Sequence, residues 1–313
     1  SAGSDEYKRQ LAGCLVKKLT GERLVLTPHS LEPHRPWKQE QLGTAYFGSS
    51  WVERTAFENA DGVVAVSGAM KEDVRELYDV PPQNTKVIPN GIDLQQYRPS
   101  PNEDLLLSYD IDPKTPFVLF VGRITRQKGI LHLVRAIKHM NEDLQIVLCA
   151  GAPDTEEIER EMRELVDEAR RAGNHEIVWL REMLPKEDII TIYSHAALFV
   201  CPSVYEPFGI INLEAMACKT PVIASEVGGI PEVVVPDETG LLIPFEPIGD
   251  GNFEPKYPEH FSRNLGEAVN ELMADPDRRD KMATRARARV EDKFSWTRIA
   301  ERTVDFYQTL LER

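Results

Sequence analysis

The sequence predicts an α/β protein built on parallel sheets in two Rossmann-like domains. Three observations carry the prediction. Short runs rich in Val, Ile and Leu recur along the chain without strict polar alternation, as strands buried on both faces require. Longer amphipathic stretches separate them, and strand–helix alternation implies parallel pairing through right-handed crossovers. The length, 313 residues, is about twice the ~150 residues typical of one domain.

In chain order, the first strands are Leu24–Thr27, Val63–Ser67 and Lys86–Pro89. The pattern then breaks at Asp93–Pro116, which is acidic and punctuated by Pro99, Pro101, Pro113 and Pro116, with room for a helix around Asp104–Tyr109. The domain change is placed there. Six further strands follow: Phe117–Gly122, Gln145–Gly151, Ile177–Leu180, Leu198–Pro202, Pro221–Ser225 and Gly240–Pro244. Helical patterns lie between them at Ile130–His139, Thr155–Ala172, Lys186–Ser194 and Leu213–Ala217. That set makes a complete doubly wound domain. The first domain is short of strands: either it is a small appendage or, as the opening residues favour, the beginning of its sheet is missing. The opening Ser1-Ala2-Gly3-Ser4 reads as a ragged end. A last helical pattern follows Phe294-Ser295-Trp296, with Ser295 as its N-cap; it either closes the second domain or returns to the first.

Composition narrows the function classes. With 37 basic and 51 acidic side chains the net charge is −14, which argues against a nucleic-acid or anionic-membrane surface, since both need clustered Lys and Arg. No apolar run reaches the ~18 residues of a membrane span, and no signal peptide opens the chain. Cys14, Cys149, Cys201 and Cys218 have neither CxxC spacing nor a neighbouring His cluster. They read as reduced, buried residues of a cytoplasmic protein rather than metal ligands.

Two segments carry chemistry. Tyr205-Glu206-Pro207-Phe208-Gly209-Ile210-Ile211-Asn212-Leu213-Glu214 follows a buried strand and opens a helix. Backbone N–H groups around Gly209, Ile210 and Ile211 would be open at the positive end of the helix dipole, where phosphate binds. Glu206 lies at the mouth of the strand. Glu214 lies further inside, placed to accept from a pair of sugar hydroxyls. Gly122-Arg123-Ile124-Thr125-Arg126-Gln127-Lys128-Gly129 also follows a strand directly. Arg123 and Lys128 could neutralise a diphosphate, the guanidinium by a bidentate contact and the ammonium as a point charge. The order of residues is neither Walker A nor Gly-x-Gly-x-x-Gly. Alone, each segment also reads as a solvated turn; together they make two halves of one anion site. His29, after the first strand, is expected to face an interdomain cleft. Gly228-Gly229-Ile230-Pro231-Glu232 reads as a turn into a helix, and Asp110-Ile111-Asp112 as a loop.

Taken together, Gly122-Arg123…Lys128-Gly129, Glu206-Pro207-Phe208-Gly209…Glu214 and Gly228–Glu232 resemble the retaining, nucleotide-sugar-dependent glycosyltransferases of family 4, with the GT-B fold. The run from His29 to Gly43 is similar to the actinobacterial-type glycogen synthases of that family, some of which make maltose 1-phosphate. By resemblance, the domains are residues 1–92 with a crossing helix 296–313, and residues 93–295. Arg123 and Lys128 then hold the donor diphosphate together with the backbone at Phe208, Gly209, Ile210 and Ile211. Glu214 binds the ribose, Glu206 the transferred sugar, and His29 lies near the reacting centre. The donor is ADP-glucose or, second, UDP-glucose; the acceptor is a glucan or glucose 1-phosphate. No metal or other cofactor is implied. Family members open with a glycine-rich loop that has no counterpart here, so turnover by this chain is expected to be weak. Two rivals stand beside this reading: a sucrose- or lipid-directed member of the family, and a nucleotide-sugar-binding module without catalysis.

Overall fold

Residues 2–38, 43–141, 144–173, 175–249 and 251–312 are described by a computed structural model. They gather into two units. The first holds the chain up to Gly91, the turn at 251–252 and the chain from Trp296 onward; the second holds Ile92–Gly249 and Phe253–Ser295.

The first unit is built from α1 (Ala2–Thr20), β1 (Val25–Leu26), α2 (Ala45–Asn59), β2 (Gly62–Ala65), α3 (Gly68–Tyr78) and β3 (Thr85–Val87). Its three strands pair in parallel in the order β1-β2-β3, with Val25 opposite Gly62 and Val63 opposite Thr85. All four residues of β2 are buried, which accounts for its unbroken apolar run. Ser67 caps α3, its side chain accepting from the Met70 N–H at 3.0 Å. The helix Trp296–Leu311 lays Ile299, Phe306 and Leu310 against Val64 and Ile88 of this sheet. Gly62 makes that approach possible, since a Cβ there would stand 2.5 Å from a Leu310 methyl. The last helical pattern therefore returns to the first sheet. At the chain start, Ala2, Gly3 and Ser4 lie in the first turn of α1, which packs on α2. No proline interrupts them.

The second unit runs α4 (Asp104–Ser108), β4 (Phe117–Arg123), α5 (Ile130–Ala136), β5 (Gln145–Gly151), α6 (Glu156–Ala172), β6 (Glu176–Leu180), α7 (Lys186–His195), β7 (Leu198–Cys201), α8 (Ile210–Ala217), β8 (Val222–Ser225), α9 (Ile230–Val233) and β9 (Gly240–Ile243). A hairpin of β10 (Pro247–Gly249) and β11 (Asn252–Pro255) follows, then α10 (Pro258–Met273) and α11 (Pro276–Lys293). The six-stranded sheet is parallel, in the order β6-β5-β4-β7-β8-β9. Strand order reverses between β4 and β7, and ligands of such sheets bind at that switch point, beyond the strand C-termini. Val118, Phe120, Ile146, Leu148, Val200 and Ile223 of the strands form one core with Leu133, Met162, Leu265 and Val269 of the helices. Cys14, Cys149, Cys201 and Cys218 are all buried and unbridged. Asp110-Ile111-Asp112 is a turn into β4: Ile111 is buried, and the Asp112 carboxylate accepts from the Lys114 N–H and the Thr115 hydroxyl. No described helix is long and apolar enough to cross a membrane.

Candidate active site

The loops after β4 and β7 leave the sheet on either side of the switch point and are laced together. Val204 N–H donates to the Gln127 carbonyl at 3.0 Å, and Gln127 Nε2 donates to the Tyr205 carbonyl at 3.2 Å. Gly129, at φ +62°, sits so close that a Cβ would lie 1.9 Å from the Pro202 carbonyl oxygen. Only glycine tolerates both the backbone conformation and the approach. The turn itself closes when the Lys128 N–H donates to the Thr125 hydroxyl at 3.1 Å.

This lacing brings Lys128 to Glu206. Their side chains form an ion pair at 2.7 Å, with Glu206 8% exposed. Burial works against the ammonium, but the Glu206 carboxylate outweighs it and holds the Lys128 pKa above its ordinary value. The Arg123 guanidinium is near enough to oppose that effect. Arg123 itself donates to Asp154 at 2.7 Å and is half exposed. Both cations that the sequence singled out are therefore at the switch point, each partnered by a carboxylate.

Gly209 starts α8 in the left-handed region at φ +94°, and no side chain caps the helix. The Asn212 N–H already donates to the Gly209 carbonyl at 3.0 Å, which leaves the N–H groups of Ile210 and Ile211 to meet an anion. Ile210 is exposed. Phe208 is buried edge-on to Phe294, so its side chain belongs to the packing and only its backbone can meet a ligand. The Gly228–Gly229 turn supports the segment from behind. Gly229 N–H donates to the Glu206 carbonyl at 2.9 Å, and a Cβ on Gly228 would fall 2.1 Å from that oxygen.

Two tyrosines of this neighbourhood escape sequence reasoning, and so does the state of the Asn212 amide. Tyr97 donates to Glu214 Oε1 at 2.8 Å, and Tyr193 donates to Glu214 Oε2 at 3.3 Å. Asn212 is fully buried, and neither polar atom of its amide has a hydrogen-bond partner. Burial pushes the Glu214 pKa up, while the two tyrosine hydroxyls pull the other way. Lys186 and Lys128 also favour its charged form.

His29 belongs to the first unit. It is exposed on the loop after β1 and lines a cavity of about 620 Å³ with Arg9, Gln10, Thr27, Ser30 and Phe57. The following segment is tied down by buried charge. Glu32 N–H donates to Glu53 Oε1 at 2.9 Å, and Glu32 accepts from Lys38 at 2.5 Å and Ser49 at 3.0 Å. Of the His29–Gly43 run, Gln39, Glu40, Gln41 and Leu42 lie outside the described residues.

Comparison with known proteins points to one family. Residues 103–250 match the model "Glycosyl transferases group 1" and residues 7–96 match "Glycosyltransferase Family 4". The chain is 50% identical over 302 residues to the alpha-maltose-1-phosphate synthase of Mycolicibacterium smegmatis, covering 95% of this chain and 76% of that protein. Among solved structures, sucrose-phosphate synthase from Thermosynechococcus elongatus superposes with a TM-score of 0.78 at 29% identity, over 98% of this chain and 72% of that one. HepE of Anabaena, solved in complex with UDP and glucose, shares the fold at 21% identity and a TM-score of 0.77, over 97% of this chain and 76% of that one. Together with two parallel-sheet units, these likenesses identify the fold as GT-B and the chain as an enzyme. It belongs to the group 1, family 4 glycosyltransferases, in the branch that includes the mycobacterial alpha-maltose-1-phosphate synthases.

Proposed function

We propose that this glycosyltransferase moves glucose from a nucleotide-glucose, with ADP-glucose favoured over UDP-glucose, to glucose 1-phosphate or an α-glucan in glycogen synthesis, in the cytoplasm. One observation carries the reading: Arg123, Lys128, Glu206 and the start of α8 converge at the switch point of the second sheet. That combination suits a departing nucleoside diphosphate. Half-identity to a maltose-1-phosphate-forming enzyme supports the acceptor class.

In this mechanism the glucosyl C1–O bond to the diphosphate breaks as a bond from C1 to the acceptor oxygen forms. The acceptor's proton passes to the departing phosphate oxygen. Charge grows on that phosphate, and fixed positive groups stabilise it without reorganising. Arg123 supplies a planar fork, Lys128 a point charge, and α8 its backbone N–H groups. Glu206 orients Lys128 and accepts from hydroxyls of the transferred sugar. Glu214 accepts from the ribose diol. The two carboxylates come from one loop–helix segment, so they grip the donor rather than flank the scissile bond from opposite sides as in glycoside hydrolysis. A role for His29 toward the transferred sugar rests on the family resemblance alone, and the anomeric configuration is retained.

The test is an assay with ADP-glucose and UDP-glucose, each offered glucose 1-phosphate and glycogen, with the product anomer read by NMR. An α-linked product from ADP-glucose is expected, and Glu206→Ala should abolish it. Turnover by this chain should be low, so a clear preference for UDP over ADP in binding or transfer, or transfer only to an acceptor other than these two, overturns the substrate assignment. Because the protein's own cations carry the leaving group, calorimetry should give the same ADP affinity with and without EDTA.

A further inference from the structure

Glu214 is held in an unusual way for a residue expected to receive a ligand. Each of its oxygens already accepts one phenolic hydrogen bond, from Tyr97 at 2.8 Å and from Tyr193 at 3.3 Å. A carboxylate oxygen has two lone pairs, so one acceptor position remains on each side. The tyrosines come from opposite directions in the chain. Tyr193 is completely buried on α7, and Tyr97 lies 9% exposed in the segment that precedes α4.

That segment is itself fixed. The Asp93 carboxylate accepts from the N–H groups of Gln95 and Gln96 at 2.8 and 3.1 Å, and Tyr97 N–H donates to the Asp93 carbonyl at 2.8 Å. Arg287 of α11 then donates one nitrogen to both the Tyr97 carbonyl, at 2.7 Å, and the Ala217 carbonyl at the end of α8, at 2.6 Å. Tyr97 and the end of α8, the helix that carries Glu214, are thus tied to one guanidinium.

We infer that Tyr97 and Tyr193 are positioning residues for the donor site: they lock Glu214 in one rotamer with its remaining lone pairs turned to a cis-diol, and Arg287 holds Tyr97 in place to do so. The inference rests on the reading of Glu214 as the ribose acceptor. The electrostatics are consistent with it. Burial and the adjoining Glu214 carboxylate push both phenols well above their ordinary range, so both remain donors. The same hydroxyls, with Lys186 and Lys128, oppose the burial that raises the Glu214 pKa; the thiol facing it is Cys218, also buried.

The decisive ratio is affinity for a nucleoside diphosphate against its 2′,3′-dideoxy counterpart, measured by calorimetry with the adenosine and the uridine pairs. Wild-type protein should prefer the intact diol. Tyr97→Phe and Tyr193→Phe should each shrink that preference about tenfold, the weight of one hydrogen bond to a charged group, while affinity for the dideoxy ligand stays the same. The acid limb of diol-ligand affinity should move to higher pH in both variants, because Glu214 loses a donor to its charged form. Glu214→Gln should erase the preference, and adding Tyr97→Phe to it should change nothing more. A preference intact in Glu214→Gln overturns the ribose reading itself. A preference lost there but intact in both tyrosine variants, with unchanged unfolding midpoints, overturns the positioning role alone.

Discussion

Lys128 and Glu206 illustrate how a single pair can serve folding and binding. A nearly buried carboxylate without its cation is costly, so the pair must form for the loop to close. The same pairing keeps the ammonium charged and aimed at the switch point. Lys128→Ala should therefore weaken ADP binding by about 1.5–3 kcal/mol, the range for a hydrogen bond to a charged group. Calorimetry reads this directly, and an unchanged affinity would make Lys128 merely structural. Both residues were legible because each follows a buried strand within a few positions. Tyr97 was not. It meets Glu214 across 117 positions, from a proline-punctuated stretch with no periodicity to flag it. Asn212 lay inside a quoted segment, but its orphaned amide is a fact of packing that no spacing encodes.

Elements were more legible than contacts. Each of the nine apolar runs became a strand; β2, β7 and β8 are buried at every position, as a strand covered on both faces must be, while β1, β3 and β6 are only partly covered. The β10–β11 hairpin was missed; its short strands are partly exposed and carry no alternating pattern. Helix α1 was missed because its amphipathic stripe is weak and its opening residues are small. The glycine turns between elements were quoted as motifs, but their reason is steric. Gly228 is left-handed at φ +52°, with a carbonyl where a Cβ would go. Gly228→Ala should cost about 2–4 kcal/mol, combining left-handed strain with overpacking, and should also weaken nucleotide binding by pushing the Glu206 backbone. Gly173, at φ +77°, has no atom closer than 4.0 Å to the same virtual Cβ. Gly173→Ala should cost only the backbone strain, about 1–2 kcal/mol, and leave binding untouched. Urea unfolding alongside calorimetry separates the two; equal effects would show that the tight approach at Gly228 does not matter.

At the scale of the whole molecule, two of the core clusters formed by the described residues fall in different units. The larger one lies around the six-stranded sheet of the second unit. The smaller joins β1–β3 of the first unit to the helix Trp296–Leu311, which reaches that sheet only after the chain has built the other unit. This smaller cluster has few members, so one side chain matters to it. Phe306 is 6% exposed and packs beside Val64, Ile88, Ile299 and Leu310. Its truncation to Ala should cost about 3–5 kcal/mol, the range for a buried phenylalanine. That loss belongs to one unit. Hydrogen-exchange mass spectrometry on Phe306→Ala should show lost protection in peptides from β1, β2, β3 and the C-terminal helix. Peptides from β4, β5 and β7 should exchange as in the wild type, and ADP should still protect the loops after β4 and β7. Loss of protection throughout both sheets would mean that the two cores unfold as one cooperative body, and that the nucleotide site depends on the C-terminal helix.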